Sequence, residues 1–151
     1  MLEQIFTGQF FAYFGAAIAF LVAGLGSSKG VGLAGQTGAG VLSEDPSKFG
    51  SVMLLEALPS TQAIYGFVIA FLIIGKINDA MVLQEGLKLF AAGLPMGVVG
   101  LVSAIYQGKV SASGIQLISK HPESVGSAIT LALMVEMFAI LALIVSILMI
   151  G

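Results

Sequence analysis

Residues 125–151 read VGSAITLALMVEMFAILALIVSILMIG, and the only ionisable side chain among them is Glu136. As a helix rising about 1.5 Å per residue, this stretch would reach roughly 40 Å, more than the hydrocarbon core of a bilayer at about 30 Å. A helix apolar on every side is a membrane span or the centre of a large core. The rest of the chain supplies no such core, because it repeats the same pattern three more times. An uncharged run from Gln4 to Ser28 lies between Glu3 and Lys29. Phe49 to Gly75 is apolar except for Glu56, and Leu89 to Gly108 is again uncharged. Between the runs, Ser43-Glu44-Asp45-Pro46-Ser47-Lys48 and Ser119-Lys120-His121-Pro122-Glu123-Ser124 read as tight polar turns. Lys76 to Lys88, with Asp79 and Glu85, reads as a longer return to water. The expectation is an all-α membrane protein of four transmembrane helices.

Composition agrees. Of 151 residues, 58% are apolar and 9% charged, with a mean hydropathy of +1.06. A soluble domain carries roughly a quarter of its residues as charges, so lipid must solvate most of this one, which excludes most soluble enzymes. The net charge is −2, with six lysines, no arginine and no basic cluster, which argues against a nucleic-acid partner. Cysteine is absent, so no disulfide, thiolate nucleophile or zinc-thiolate site can be built. The acidic start and long first run do not fit a secretory signal peptide. Lys29, Lys48, Lys109 and Lys120 lie near the short turns and Lys76 and Lys88 near the longer connection, which favours cytoplasmic short turns with both termini outside. The expected location is the cell membrane, crossed several times.

The chain is a tandem repeat. Shifted by 76 positions without a gap, Gly24 falls on Gly100, Ser27 on Ser103, Gly32 on Gly108, Gly38 on Gly114, Pro46 on Pro122 and Gly75 on Gly151. Each repeat contains two spans, so the two hairpins, 1–75 and 76–151, enter from the same side as a parallel duplication. The first helix of each is rich in small residues, which let backbones approach closely in a bilayer. Gly30-Val31-Gly32-Leu33-Ala34-Gly35 fits the string of a dinucleotide-binding loop, but no strand–loop–helix context surrounds it, and helix packing accounts for it.

An intramembrane carboxylate requires a partner, an ion or a proton. Measured from the short turns, Glu136 lies 14 residues after Pro122 and Gln107 15 before it, while Thr61 and Gln62 lie 15 and 16 after Pro46. All four therefore sit about 20–24 Å from the turns, where the second, third and fourth helices could bring their oxygens together. Tyr65 shares the Thr61 face. Pro59 removes a helical hydrogen bond and leaves carbonyls near Leu55 to Leu58 as further possible ligands. Such oxygens suit a hard cation. A proton site would need little beyond the carboxyl group, so the extra oxygens favour a metal cation, Na⁺ being the small monovalent one usually available; H⁺ is the alternative.

The motifs Gly26-Ser27-Ser28-Lys29-Gly30-Val31-Gly32, Leu58-Pro59-Ser60-Thr61-Gln62-Ala63-Ile64-Tyr65-Gly66, Gln107-Gly108-Lys109-Val110 and Val135-Glu136 together resemble the four-helix proteolipids of bacterial V-type ATPases, most closely the sodium-translocating type. The resemblance covers almost the whole chain. It implies a ring of identical subunits that turns against a stator while ATP is hydrolysed in a separate soluble head, so the chain itself would not be an enzyme. It further implies Na⁺ coordination by Glu136, Thr61, Gln62, Gln107 and the carbonyl of Leu58, with Tyr65 hydrogen-bonded to the Glu136 carboxylate. The stator would supply the arginine that releases the ion, and the charged turns would dock a central stalk. Glycine-rich helices one and three are expected inside the ring, with two and four outside against membrane lipid.

Three residues stand apart from this scheme. Glu56 is a second intramembrane carboxylate, expected to be protonated, paired with Lys109 or a supplementary ligand. Lys29 is nominally as deep as the site, so either helix one projects beyond the bilayer or Lys29 faces a non-lipid surface such as the inside of the ring. His121 is expected to be solvated. Two other functions compete: an independent secondary transporter, disfavoured by the parallel hairpins, and a purely structural adaptor, disfavoured by the burial of Glu136.

Overall fold

A computed structural model describes residues 6–151; Glu3 and Gln4, which open the first expected run, lie outside them. All regular structure among the described residues is helical: α1 (Gly8–Glu44), α2 (Phe49–Ala57), α3 (Thr61–Ile74), α4 (Leu83–Lys120) and α5 (Val125–Ile150). A single 3₁₀ turn, Leu58–Ser60, joins α2 to α3, so Pro46–Ile74 forms one span. With Gly8–Glu44, Leu83–Lys120 and Pro122–Ile150 it makes four segments long and apolar enough to cross a membrane.

Two helices outrun the sequence expectation. α1 continues through Lys29 to Glu44, with Lys29 exposed on its flank, and α4 begins at Leu83 rather than Leu89. Charge marks where a helix leaves lipid, but it does not end the helix, because each added residue still closes a backbone hydrogen bond. Glu85 belongs to the first turn of α4, where its Oε2 accepts from the Val82 amide at 3.2 Å, and only the segment after Ile74 forms the connection.

The short turns have defined chemistry. Asp45 Oδ1 accepts from the amide and the hydroxyl of Ser47, at 3.1 and 2.6 Å, and Pro46 opens the next helical turn. Lys48 Nζ lies 3.5 Å from Asp45 Oδ2 and donates to the Ser119 carbonyl at 2.5 Å, tying the first turn to the end of α4. In the second turn His121 faces Glu123 at 3.3 Å, both exposed.

α1 and α4 form the central pair, with α2 and α3 against α1 and α5 against α4; α3 also reaches α4 and α5. Glycine makes the central contact possible. A Cβ on Gly15 would stand 2.6 Å from the Phe90 Cα, and one on Gly26 2.5 Å from the Leu101 Cα. Alanines complete the seam, with Ala12, Ala19, Ala23, Ala92 and Ala104 fully buried. Bulky side chains point the other way: Leu148 is 73% and Phe71 68% exposed, as suits a surface that lipid solvates. Backbone donors are satisfied inside the bundle. Next to Pro95 in α4, the Met96 amide donates to Ser146 Oγ of α5 at 3.2 Å, and the Ala63 amide donates to Ser27 Oγ of α1 at 3.0 Å.

Candidate functional site

Polar residues from α3, α4 and α5 form one connected network around Glu136. Glu136, on α5, is 5% exposed, and both carboxylate oxygens are held by donors from other helices. Tyr65 of α3 donates its hydroxyl to Oε1 at 2.6 Å, and Gln107 of α4 donates Nε2 to Oε2 at 3.2 Å. The same Gln107 Nε2 lies 3.2 Å from the Ala132 carbonyl. Gln62 of α3, fully buried, donates Nε2 to Gln107 Oε1 at 2.6 Å. Thr61 Oγ1 is 3.4 Å from Gln62 Oε1 and donates to the Leu58 carbonyl at 3.0 Å.

The 3₁₀ turn at Leu58–Ser60 positions the last of these groups. Pro59 has no amide to donate, and the chain tightens by one hydrogen bond register before α3 resumes. The Leu58 carbonyl is not left free by this bend; it accepts from both the amide and the hydroxyl of Thr61. Pro59 therefore aims a carbonyl and a hydroxyl at one another beside the buried amides.

The model of the ATP synthase C-subunit family matches residues 14–73 and again residues 90–149, two stretches offset by 76 positions. The chain belongs to this family. The V-type sodium ATPase subunit K of Enterococcus hirae is 42% identical over 99% of this chain and 98% of its own length. The A-type ATP synthase subunit K of Methanocaldococcus jannaschii is 40% identical over 89% of this chain and 59% of its own length. The 16 kDa proteolipid of the V-type proton ATPase of Homo sapiens is 27% identical over 93% of this chain. Within the family the chain is thus a V-type ATPase rotor proteolipid: a non-catalytic, multi-pass component of a membrane ring that works with other ATPase subunits.

Of the proteolipid's polar residues picked out from sequence, Glu136, Tyr65, Gln107 and Gln62 are in direct contact, and Thr61 and Leu58 adjoin Gln62. One member was not anticipated. Ser103 Oγ accepts from Gln62 Nε2 at 3.3 Å and donates to the Val135 carbonyl at 3.0 Å, fixing Gln62 beside the helix of Glu136. The available signal was its repeat partner Ser27, which bridges α1 to α3 as Ser103 bridges α4 to α5. Glu56 does not join the network. Of the three roles open to it, pairing with Lys109 of the same chain is not made: Lys109 Nζ sits 4.8 Å from the Tyr106 ring centroid, while the Glu56 carboxylate lies over Gly35.

Proposed function

We propose that this rotor proteolipid carries Na⁺, one ion per chain, bound at Glu136 in the second hairpin, residues 76–151. Glu136 supplies the charge that offsets Na⁺ desolvation. Thr61 Oγ1, the amide oxygens of Gln62 and Gln107, and the Leu58 carbonyl supply neutral oxygens of the kind hard cations prefer. Tyr65 holds the carboxylate in orientation. The observation that carries this reading is the unbroken chain of contacts from Gln62 through Gln107 to Glu136, which links two buried side-chain amides to the carboxylate, whereas a carrier of protons would need little beyond the carboxyl group itself. The name of the Enterococcus hirae relative, a sodium ATPase subunit, supports the same ion. The first hairpin, residues 1–75, has Ser60 and Val31 at the positions equivalent to Glu136 and Gln107, and so offers no second site.

One charge moving through 100 mV involves about 2.3 kcal/mol, so the site must hold its ion and still release it. Release falls to an arginine of the stator, whose charge replaces Na⁺ beside Glu136, and the charged short turns dock the central stalk. The test is modification of Glu136 by a hydrophobic carbodiimide at neutral pH. Na⁺ should slow labelling in the parent protein. Labelling that responds to pH and not to Na⁺ would establish H⁺ as the carried ion instead.

A further inference from the structure

The two free edges of the four-helix block differ in the size of their side chains and in charge. Along the edge of the first hairpin, Gly24 and Gly32 of α1 have open space where a Cβ would stand. Gly24 lines a groove of about 520 Å³ with Val31 and Ser60. Along the edge of the second hairpin, grooves of about 420 and 370 Å³ lie between α4 and α5, and the side chains at their rims are bulky: Tyr106, which lines both, is 56% and Phe138 64% exposed. The first edge is a trough floored by glycine, and the second carries bulky side chains free to enter one.

The repeat indicates how they meet. Because the hairpins are copies offset by 76 residues, the contacts between them within a chain define an operation that can be applied once more, from the second hairpin of one copy to the first hairpin of the next. Within the chain Gly108 is packed on the backbone of Gly30, Gln62 meets Gln107, and Tyr65 meets Glu136. Applied again, the operation places Tyr106 on Gly32, Phe138 on Val31 and Leu141 on Ser60 of the neighbour. Each translated contact puts a bulky, exposed group onto the trough, and the open Gly32 lies under the largest of them.

Charge leads to the same arrangement. Glu56 Oε1 lies 2.6 Å from where a Cβ on Gly35 would stand, so its carboxylate rests on α1 about one helical turn from Gly32. The Lys109 ammonium rests on the Tyr106 ring. A tyrosine seated on Gly32 therefore carries that ammonium to the Glu56 carboxylate. Depth agrees, since Glu56 lies 10 residues after Pro46 and Lys109 13 before Pro122, a difference of about 4.5 Å along the helices. The ion pairs among the described residues, Lys48–Asp45 and His121–Glu123, involve neither group.

Building on the ring reading, we propose that neighbouring copies join head to tail by the packing that joins the two hairpins, with Tyr106 of one copy on Gly32 of the next and Lys109 ion-paired to Glu56 across the interface. The translated contacts bring no second carboxylate to the interface, so it adds no ion site, and the single Glu–Lys pair fixes its vertical register.

The chain has no cysteine, so introduced thiols report without background. Gly32→Cys and Tyr106→Cys, co-expressed as separate, differently tagged chains, should give a disulfide-linked dimer on oxidation, since a disulfide forms only where Cα atoms approach within about 7 Å. Neither variant alone should do so, nor should Gly40→Cys in place of Gly32→Cys. In a second arm, Glu56→Lys and Lys109→Glu should each lower the fraction of chain running as the ring by roughly tenfold, and the double exchange should restore it to within about threefold of the parent. The mass of the parent oligomer separates the two levels of failure. A parental ring without the cross-link, or a double exchange no better than its singles, overturns this interface and leaves the rotor reading intact; a monomeric parent overturns both.

Discussion

Glu136 is accommodated among apolar spans because both of its carboxyl oxygens are hydrogen-bonded at close range. An unpaired carboxylate at mid-membrane costs roughly 2.5–3.5 kcal/mol on insertion scales, and here a tyrosine hydroxyl and a glutamine amide share the task of holding it. Glu136→Gln keeps the volume and removes the charge, so the subunit should insert and assemble while Na⁺ binding and coupled transport are lost; ²²Na⁺ binding to the purified ring checks this. Gln107→Leu leaves the carboxylate but removes one neutral oxygen and the link to Gln62. Losing a buried hydrogen-bonding partner costs about 1–3 kcal/mol, so Na⁺ affinity should fall roughly 5- to 150-fold, read as loss of Na⁺ protection against carbodiimide labelling. Tyr65→Phe removes a single donor to the carboxylate and should weaken Na⁺ by a smaller factor in the same assay.

Proline and glycine decide how the elements are placed, and serines of neighbouring helices satisfy the donors involved. Ser146 is fully buried on α5 and accepts from the Met96 amide beside Pro95, so Ser146→Ala should destabilise the packing of α4 on α5 by about 1–3 kcal/mol, measured as a lower thermal midpoint of the solubilised ring. The turn after α1 makes a separate prediction. The hydrogen bond from the Ser47 hydroxyl holds the exposed Asp45 carboxyl below its ordinary value of 3.8, with the Ser47 amide and Lys48 acting in the same sense. A depressed folded-state pKa means that the contribution is present above the unfolded value and disappears as pH falls through the folded one. The difference in thermal midpoint between the parent and Asp45→Ala should therefore be full at pH 6 and shrink as the pH is taken below 4.

At the scale of the molecule, the seam of α1 against α4 has no room for side chains. Gly15→Val would drive two methyl groups into the Phe90 backbone, and overpacking of this kind costs about 1–3 kcal/mol or more where backbone cannot yield. The expected result is a loss of assembled ring that substitutions at lipid-facing Leu148 do not produce, compared by native mass measurement. The outward-facing bulk on the remaining faces is the reason the chain requires lipid or another copy of itself as solvent.

Four spans, the tandem repeat and a carboxylate placed inside the fourth span were legible in the sequence for one physical reason. In a chain that is 58% apolar, each charge, each glutamine and each repeated glycine is an exception that the bilayer makes costly, so the exceptions carry the information. Gln62, Gln107 and Glu136 stood out on those grounds. Ser103 did not, because a helical serine can satisfy itself on its own backbone, as Ser28 does on Leu25 and Ser113 on Lys109, and only the packing of α3 against α4 turns Ser103 toward Gln62. The length of α1 beyond Lys29, the double use of the Leu58 carbonyl and the separation of Glu56 from Lys109 were likewise decided by tertiary structure. Depth along a helix follows from counting residues, whereas the direction a side chain faces depends on which neighbour leaves room for it.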